Sequence, residues 1–188
     1  MSKLDSILAF NEHFVEDKQY ERFVVSKFPQ KKIVILTCMD TRLIELLHSA
    51  MDLKNGDAKI IKNAGAVISH PFGSIMRSIL VAIYELGAEE VFIIGHHGCG
   101  MTGLSSSSVL NKAEERGINM DQIKSLQYAG VDIDSFLTGF EDVSDSVKHS
   151  LDMVVNHPLL PPDVLVHGLV IDPETGKLDI VQRDLSPS

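Results

Sequence analysis

Two apolar periods alternate along this chain. Leu4, Ile7, Leu8, Phe14 and Val15 share one face at helical spacing. Ser2, with Asp5 three residues on, makes a capping pair. These positions predict an amphipathic opening helix of several turns that stops near Pro29. Ile33 to Thr37 is a short β-branched run, read as a buried strand, and Leu43 to Leu47 supplies a helical turn or two. Ala58 to Lys62 reads as a second strand that ends at Asn63-Ala64-Gly65. Pro71 suits the first turn of a helix. Ile75, Ile79, Leu80 and Ile83 are its apolar stripe and Gly87 its C-terminal cap. Val91 to Gly95 is a third strand, after which the small residues Gly100 to Ser108 lead into a helix reaching Arg116. Phe136, Phe140, Val143, Val147, Leu151 and Val154 recur at helical intervals and predict one long helix that stops before Pro158. Val164 to Ile171 is a fourth strand; Asp172 to Gly176 is a turn, and Leu178 to Val181 return as its hairpin partner.

Continuous apolar strands alternating with helices specify an α/β fold. The expected architecture is a central, mostly parallel sheet flanked by helices, with a C-terminal antiparallel hairpin. No repeat or linker divides the chain, so residues 1–188 read as a single domain, with 1–29 as an N-terminal helical arm. That length buries a core without staples. With 44% apolar residues, no Trp and two Cys, the chain is not collagen-like, low-complexity or a disulfide miniprotein. No apolar run approaches the roughly 18 residues that a bilayer span needs. Met1-Ser2-Lys3-Leu4-Asp5 lacks the layout of a signal peptide. The expected compartment is the cytoplasm, where thiols stay reduced. Acidic residues outnumber basic ones 26 to 17, and the resulting net charge of −9 argues against a nucleic-acid backbone binder.

Both cysteines stand immediately after predicted strands, Cys38 after the first and Cys99 after the third. Ligands bind at the carboxyl ends of strands in open α/β sheets. A disulfide is a weak reading in a reducing compartment, and a pair of inert buried thiols is the plain structural alternative. A metal explains more. Zinc prefers thiolate and imidazole, and catalytic zinc takes three protein ligands plus an open position. Cys38, His96 and Cys99 supply two sulfurs and a nitrogen. His96-x-x-Cys99 lets both side chains leave one loop toward the same point, whereas His97 leaves only one residue before Cys99 and is the less favoured ligand. On an extended segment Cys38, Asp40 and Arg42 face the same way. Asp40 beside Arg42 stays ionised and can accept a hydrogen bond from a metal-bound water or bind the open position itself.

Competing motifs fit less well. Gly98-x-Gly100-x-x-Gly103, with Asp121 downstream, matches a dinucleotide fingerprint, but pyrophosphate needs neither the histidines nor Cys99. Cys38 and Arg42 as a phosphatase pair would have Asp40 between them, repelling phosphate. Of the other histidines, His13, His149 and His157 read as solvated, His48 and His70 as lying near loops without a cluster of ligand types, and His167 as a satisfied core residue.

Cys38-x-Asp40-x-Arg42 followed by His96-x-x-Cys99 resembles the β-class carbonic anhydrases. The resemblance extends to Asp57-Ala58, Asn63-Ala64-Gly65, Arg77-Ser78, Gly95, Gly100-Met101, Gly168 and Gly176. It implies a zinc enzyme, one Zn2+ per chain, that hydrates carbon dioxide to bicarbonate through a zinc-bound hydroxide. It implies Cys38, His96 and Cys99 as ligands and Asp40 with Arg42 as a catalytic dyad. It also implies a homodimer or tetramer whose N-terminal helix packs on the partner subunit. His97 is a candidate proton relay or a loop packing residue. The same scaffold supports hydrolysis of carbon disulfide or carbonyl sulfide, and a non-catalytic zinc or bicarbonate module is a third reading. Lys62 stands where the family commonly has Arg, and Ile35 where some bacterial members use Trp to hold an inhibitory bicarbonate. No counterpart of a plant-type substrate Gln is evident.

Overall fold

Each apolar run predicted as a strand is one in the computed structural model, which describes residues 2–187. Met1 and Ser188, the ends of the expected domain, lie outside the described residues. Strands β1 (Ile33–Cys38), β2 (Ala58–Asn63), β3 (Glu90–His96), β4 (Leu165–Ile171) and β5 (Leu178–Leu185) form one sheet in the order β2-β1-β3-β4-β5. β2, β1, β3 and β4 run parallel, and β5 returns antiparallel to β4. β1 is flanked on both edges and covered on both faces, so all six of its residues are buried. β2 is an edge strand and is only half-buried.

The helices are α1 (Lys3–Glu16), α2 (Leu43–Ala50), α3 (Ser74–Tyr84), α4 (Ser106–Glu115), α5 (Met120–Tyr128), α6 (Ile133–Leu137) and α7 (Val143–Val155). α3 and α7 cover one face of the sheet: Met76, Ile79, Val147 and Leu151 pack on Leu36, Val91, Ile93 and Val166. α2 covers the other, with Leu43 and Leu47 against Ile35, Ile94 and Ile171. Burying each such side chain contributes about 1.5–3 kcal/mol. α7 lies close on the sheet because β3 and β4 offer glycines there. A Cβ on Gly168 would stand 2.5 Å from Leu151 Cδ1, and one on Gly95 would stand 2.7 Å from Val143 Cγ2.

Several expected boundaries move. The long helix through Phe136 and Phe140 is two helices, α6 and α7. Between them, Gly139 and Phe140 hydrogen-bond to the Met101–Leu104 loop, and Asp142 caps α7 by accepting from Ser144 and Asp145 N–H. Pro71 lies in the turn before α3, which starts at Ser74 after Gly73. α1 keeps the Ser2–Asp5 capping box but ends at Glu16, well before Pro29; Lys18 turns left-handed (φ 53°) and a 3-10 turn follows at Gln19–Phe23. α5 has no counterpart in the periodicity reading. None of α1's residues is buried. Among the described residues no helix is long and apolar enough to cross a membrane.

Candidate metal centre

β1 and β3 are adjacent and parallel, so their carboxyl ends emerge side by side. Cys38 is the last residue of β1 and His96 the last of β3. A tight loop with Gly98 at φ +61° then brings Cys99 back beside them. The ligand atoms of Cys38, His96 and Cys99 all lie within 4.8 Å of one another, and the three residues are buried. The two sulfurs are 3.9 Å apart and both cysteines are free, so the site is not a disulfide. His97 is exposed and outside this cluster, which separates it from His96.

The donor set fits a metal. His96 Nδ1–H donates to the His97 carbonyl at 2.9 Å, which leaves Nε2 as the lone pair turned toward the thiols. A ring held through its second nitrogen is the usual support of a metal-ligating histidine. Nε2 is buried and has no hydrogen-bond partner among the described residues; a buried polar atom left so is costly unless something binds it. Burial pushes the Cys38 thiol up, but the His96 ring and the backbone N–H groups of Gly65 and Asp40 outweigh it and bring the pKa down to about 7. Burial and the neighbouring Cys38 charge push Cys99 up to about 11. The contact with Cys38 raises His96 above its ordinary value.

Asp40 and Arg42 join the cluster, but not as an extended segment. The chain turns after Cys38: Asp40 Oδ1 accepts from Arg42 N–H at 2.9 Å, and Arg42 has helical backbone angles at the start of α2. The guanidinium grips the carboxylate with Nε to Oδ1 at 3.0 Å and Nη2 to Oδ2 at 2.9 Å. Nη2 also donates to the Gly98 carbonyl at 3.1 Å, tying the dyad to the Cys99 loop. Arg42 holds the Asp40 carboxyl well below the usual carboxylate range. Asp40 Oδ2 stands 3.7 Å from His96 Nε2, facing the ligand atoms. A cavity of about 480 Å³ opens over the site, lined by Met39, Asp40, Ala64, Gly65, Gly100 and Met101 among others.

Backbone groups of the site escaped the sequence reading. Gly65, at φ +79°, donates its N–H to Cys38 Sγ at 3.4 Å. Asn63 brackets that turn, accepting from Val67 N–H and donating to Val67 O. Asn63-Ala64-Gly65 was the available signal, though residue types do not reveal which amide meets the sulfur. Lys62 Nζ is buried without a hydrogen-bond partner among the described residues. His157, read as solvated, is buried; its Nδ1 accepts from Leu159 N–H. His167 is a satisfied core residue as expected, with Nε2 3.1 Å from Glu90 Oε2 and Nδ1 accepting from Asp184 N–H.

Comparison with known proteins agrees with this geometry. The carbonic anhydrase family model matches residues 33–178. YvdA of Bacillus subtilis, which carries the family name provisionally, is 64% identical over 96% of this chain and 92% of its own. A carbon disulfide hydrolase of Acidithiobacillus thiooxidans is 26% identical over 79% of this chain and 76% of its own. The crystal structure of a β-carbonic anhydrase from Trichomonas vaginalis superposes with a TM-score of 0.88 at 38% identity, covering 98% of this chain and all of the other. The paired ligand motifs, the sheet that brings them together and these matches place the chain in the β-carbonic anhydrase family.

Proposed function

We propose that this protein is a zinc enzyme interconverting carbon dioxide and bicarbonate. Cys38, His96 and Cys99 would hold the zinc, their donor types being the ones it prefers. Bound there, zinc would lower the pKa of a water toward neutrality and make hydroxide available at physiological pH. Asp40, kept ionised by Arg42, would accept a hydrogen bond on the oxygen that faces His96 and so orient the attacking group toward the cavity. Arg42 holds that carboxylate through two hydrogen bonds; without them Asp40 would be free to join the residues that hold the metal and silence the site. Met39, Ala64 and Met101 offer an apolar lining to a neutral substrate. The acidic surface does not oppose carbon dioxide and favours departure of bicarbonate. Exposed His97, next to His96 in the chain, would pass the released proton to buffer. Both thiols must stay reduced, which suits the cytoplasm.

The observation that supports this reading best is the unpartnered, buried His96 Nε2 among two thiols, beside a carboxylate pinned by Arg42. Elemental analysis should find close to one zinc per chain, and stopped-flow assays should find carbon dioxide hydration. Hydration absent at both neutral and alkaline pH, with zinc present, would sink the anhydrase reading. The carbon disulfide hydrolase relative favours one second reading, and sulfide release from carbon disulfide or carbonyl sulfide decides it. Metal and anion binding without turnover would mark a non-catalytic module. We also propose that α1 packs on a second copy of this chain in a homodimer or tetramer, because its apolar face finds no cover within one chain.

A further inference from the structure

After Leu104 the chain leaves the sheet for α4, α5 and α6, and it returns at Thr138–Phe140 before α7 begins. The return is fastened to the loop just beyond Cys99. Gly139 N–H donates to Leu104 O at 2.8 Å, Phe140 N–H to Met101 O at 3.1 Å, and Gly103 N–H to Phe140 O at 2.8 Å. Thr102 pairs with Phe140 in an isolated parallel bridge, and Thr102 N–H donates to Cys99 O at 3.0 Å. Gly139 lies so close that a Cβ there would collide with the Met101 carbonyl oxygen.

The Phe140 ring reaches the second loop of the site. A Cβ on Gly65 would fall 2.9 Å from Phe140 Cε1 and 3.1 Å from Met101 Cγ. Gly65 is the residue whose amide donates to Cys38 Sγ. Phe140 therefore packs against the Gly65 turn while its backbone is bonded to the Cys99 loop, within the apolar cluster that contains both cysteines.

We propose that Phe140 is a positioning residue for the metal centre. Its ring holds the Gly65 turn against Cys38, and its backbone ties that turn to the Cys99 loop, so both sulfurs keep their places. The proposal rests on reading Cys38, His96 and Cys99 as metal ligands. Groups that orient metal ligands cost roughly 10–100-fold in affinity when removed.

The test loads Co2+ into the wild type and into Phe140→Ala, Phe140→Leu and Gly139→Ala. Phe136→Ala is the control, altering an exposed aromatic on the same excursion. Circular dichroism verifies each fold. Release of Co2+ to a chelator and the sulfur-to-cobalt absorption band report the centre. Labelling of Cys38 by a thiol reagent in the metal-free chain, read by peptide mapping, reports the turn without metal. Phe140→Ala and Gly139→Ala should release Co2+ roughly tenfold faster or more, with a weaker band and faster Cys38 labelling, while Phe136→Ala matches the wild type. Phe140→Leu should give a smaller increase, about threefold, and it decides the matter if Phe140→Ala does not fold. Folded variants with wild-type release, band and labelling would overturn the proposal. If the wild type takes up no Co2+, the metal reading fails, and Cys38 labelling still decides the role of Phe140.

Discussion

The ends of β1 and β3 and the helix α1 are opposites. At the strand ends the chain completes its own environment. Cys38, His96 and Cys99 are buried, Asp40 is gripped bidentately, and His96 Nε2, buried beside the two thiols, has no hydrogen-bond partner among the described residues. α1 completes nothing. Leu4, Ile7, Leu8 and Phe10 are 52–67% exposed, and the aromatic contact of the helix is Phe14 with Phe23 of its own following turn. A 14-residue helix alone is marginal in water. One chain brings Cys38, His96 and Cys99 together and buries them, whereas it buries no residue of α1.

Removing a ligand should break this contrast most severely. Cys38→Ser should cost on the order of 10³-fold in zinc affinity, measured by chelator competition, because one of three ligands is lost. Retained affinity would mean that the strand ends are not the metal centre. Arg42→Ala should keep zinc but lower kcat/KM for hydration by roughly 100-fold, since Asp40 loses the partner that aims it. An unchanged rate would remove the dyad from the mechanism.

A pH titration of metal affinity sharpens the same picture. Cys99, pushed up to about 11, carries a proton in the metal-free chain across the physiological range, and Cys38 carries one below about 7. Metal must displace these protons, so affinity rises with pH. The slope of log affinity against pH should be about one above pH 7 and should steepen toward two below it, where Cys38 also holds a proton. A flat profile would contradict thiol ligation.

The smallest effect belongs to the arm. Leu8→Asp should weaken self-association about tenfold in sedimentation experiments while the zinc content stays at the wild-type level. Loss of zinc in that variant would show that the two regions are not independent.

The sequence made the ligand types and the sheet legible for a common reason: chemistry and burial both select residue identity. Apolar runs marked every strand, and thiols with an imidazole after two of them marked the site. What stayed hidden depends on backbone rather than identity. The Gly65 amide and the Gly98 carbonyl contact Cys38 and Arg42 through atoms that every residue carries. Asp40-x-Arg42 reads equally as extended or turned, and the Asp40 side chain accepting Arg42 N–H decides for the turn. Phe136 and Phe140 continue the helical period of Val143 to Val154. A tertiary partner overrides it, since Phe140 belongs to the Met101 loop and Asp142 starts the helix anew.

X-ray absorption at the zinc edge of the purified protein reads the atoms that hold the metal. Two sulfurs at about 2.3 Å and one imidazole nitrogen at about 2.0–2.1 Å are expected, with a light atom completing the sphere. A sphere of oxygen and nitrogen alone, or protein that carries no zinc, would contradict zinc binding by Cys38, His96 and Cys99.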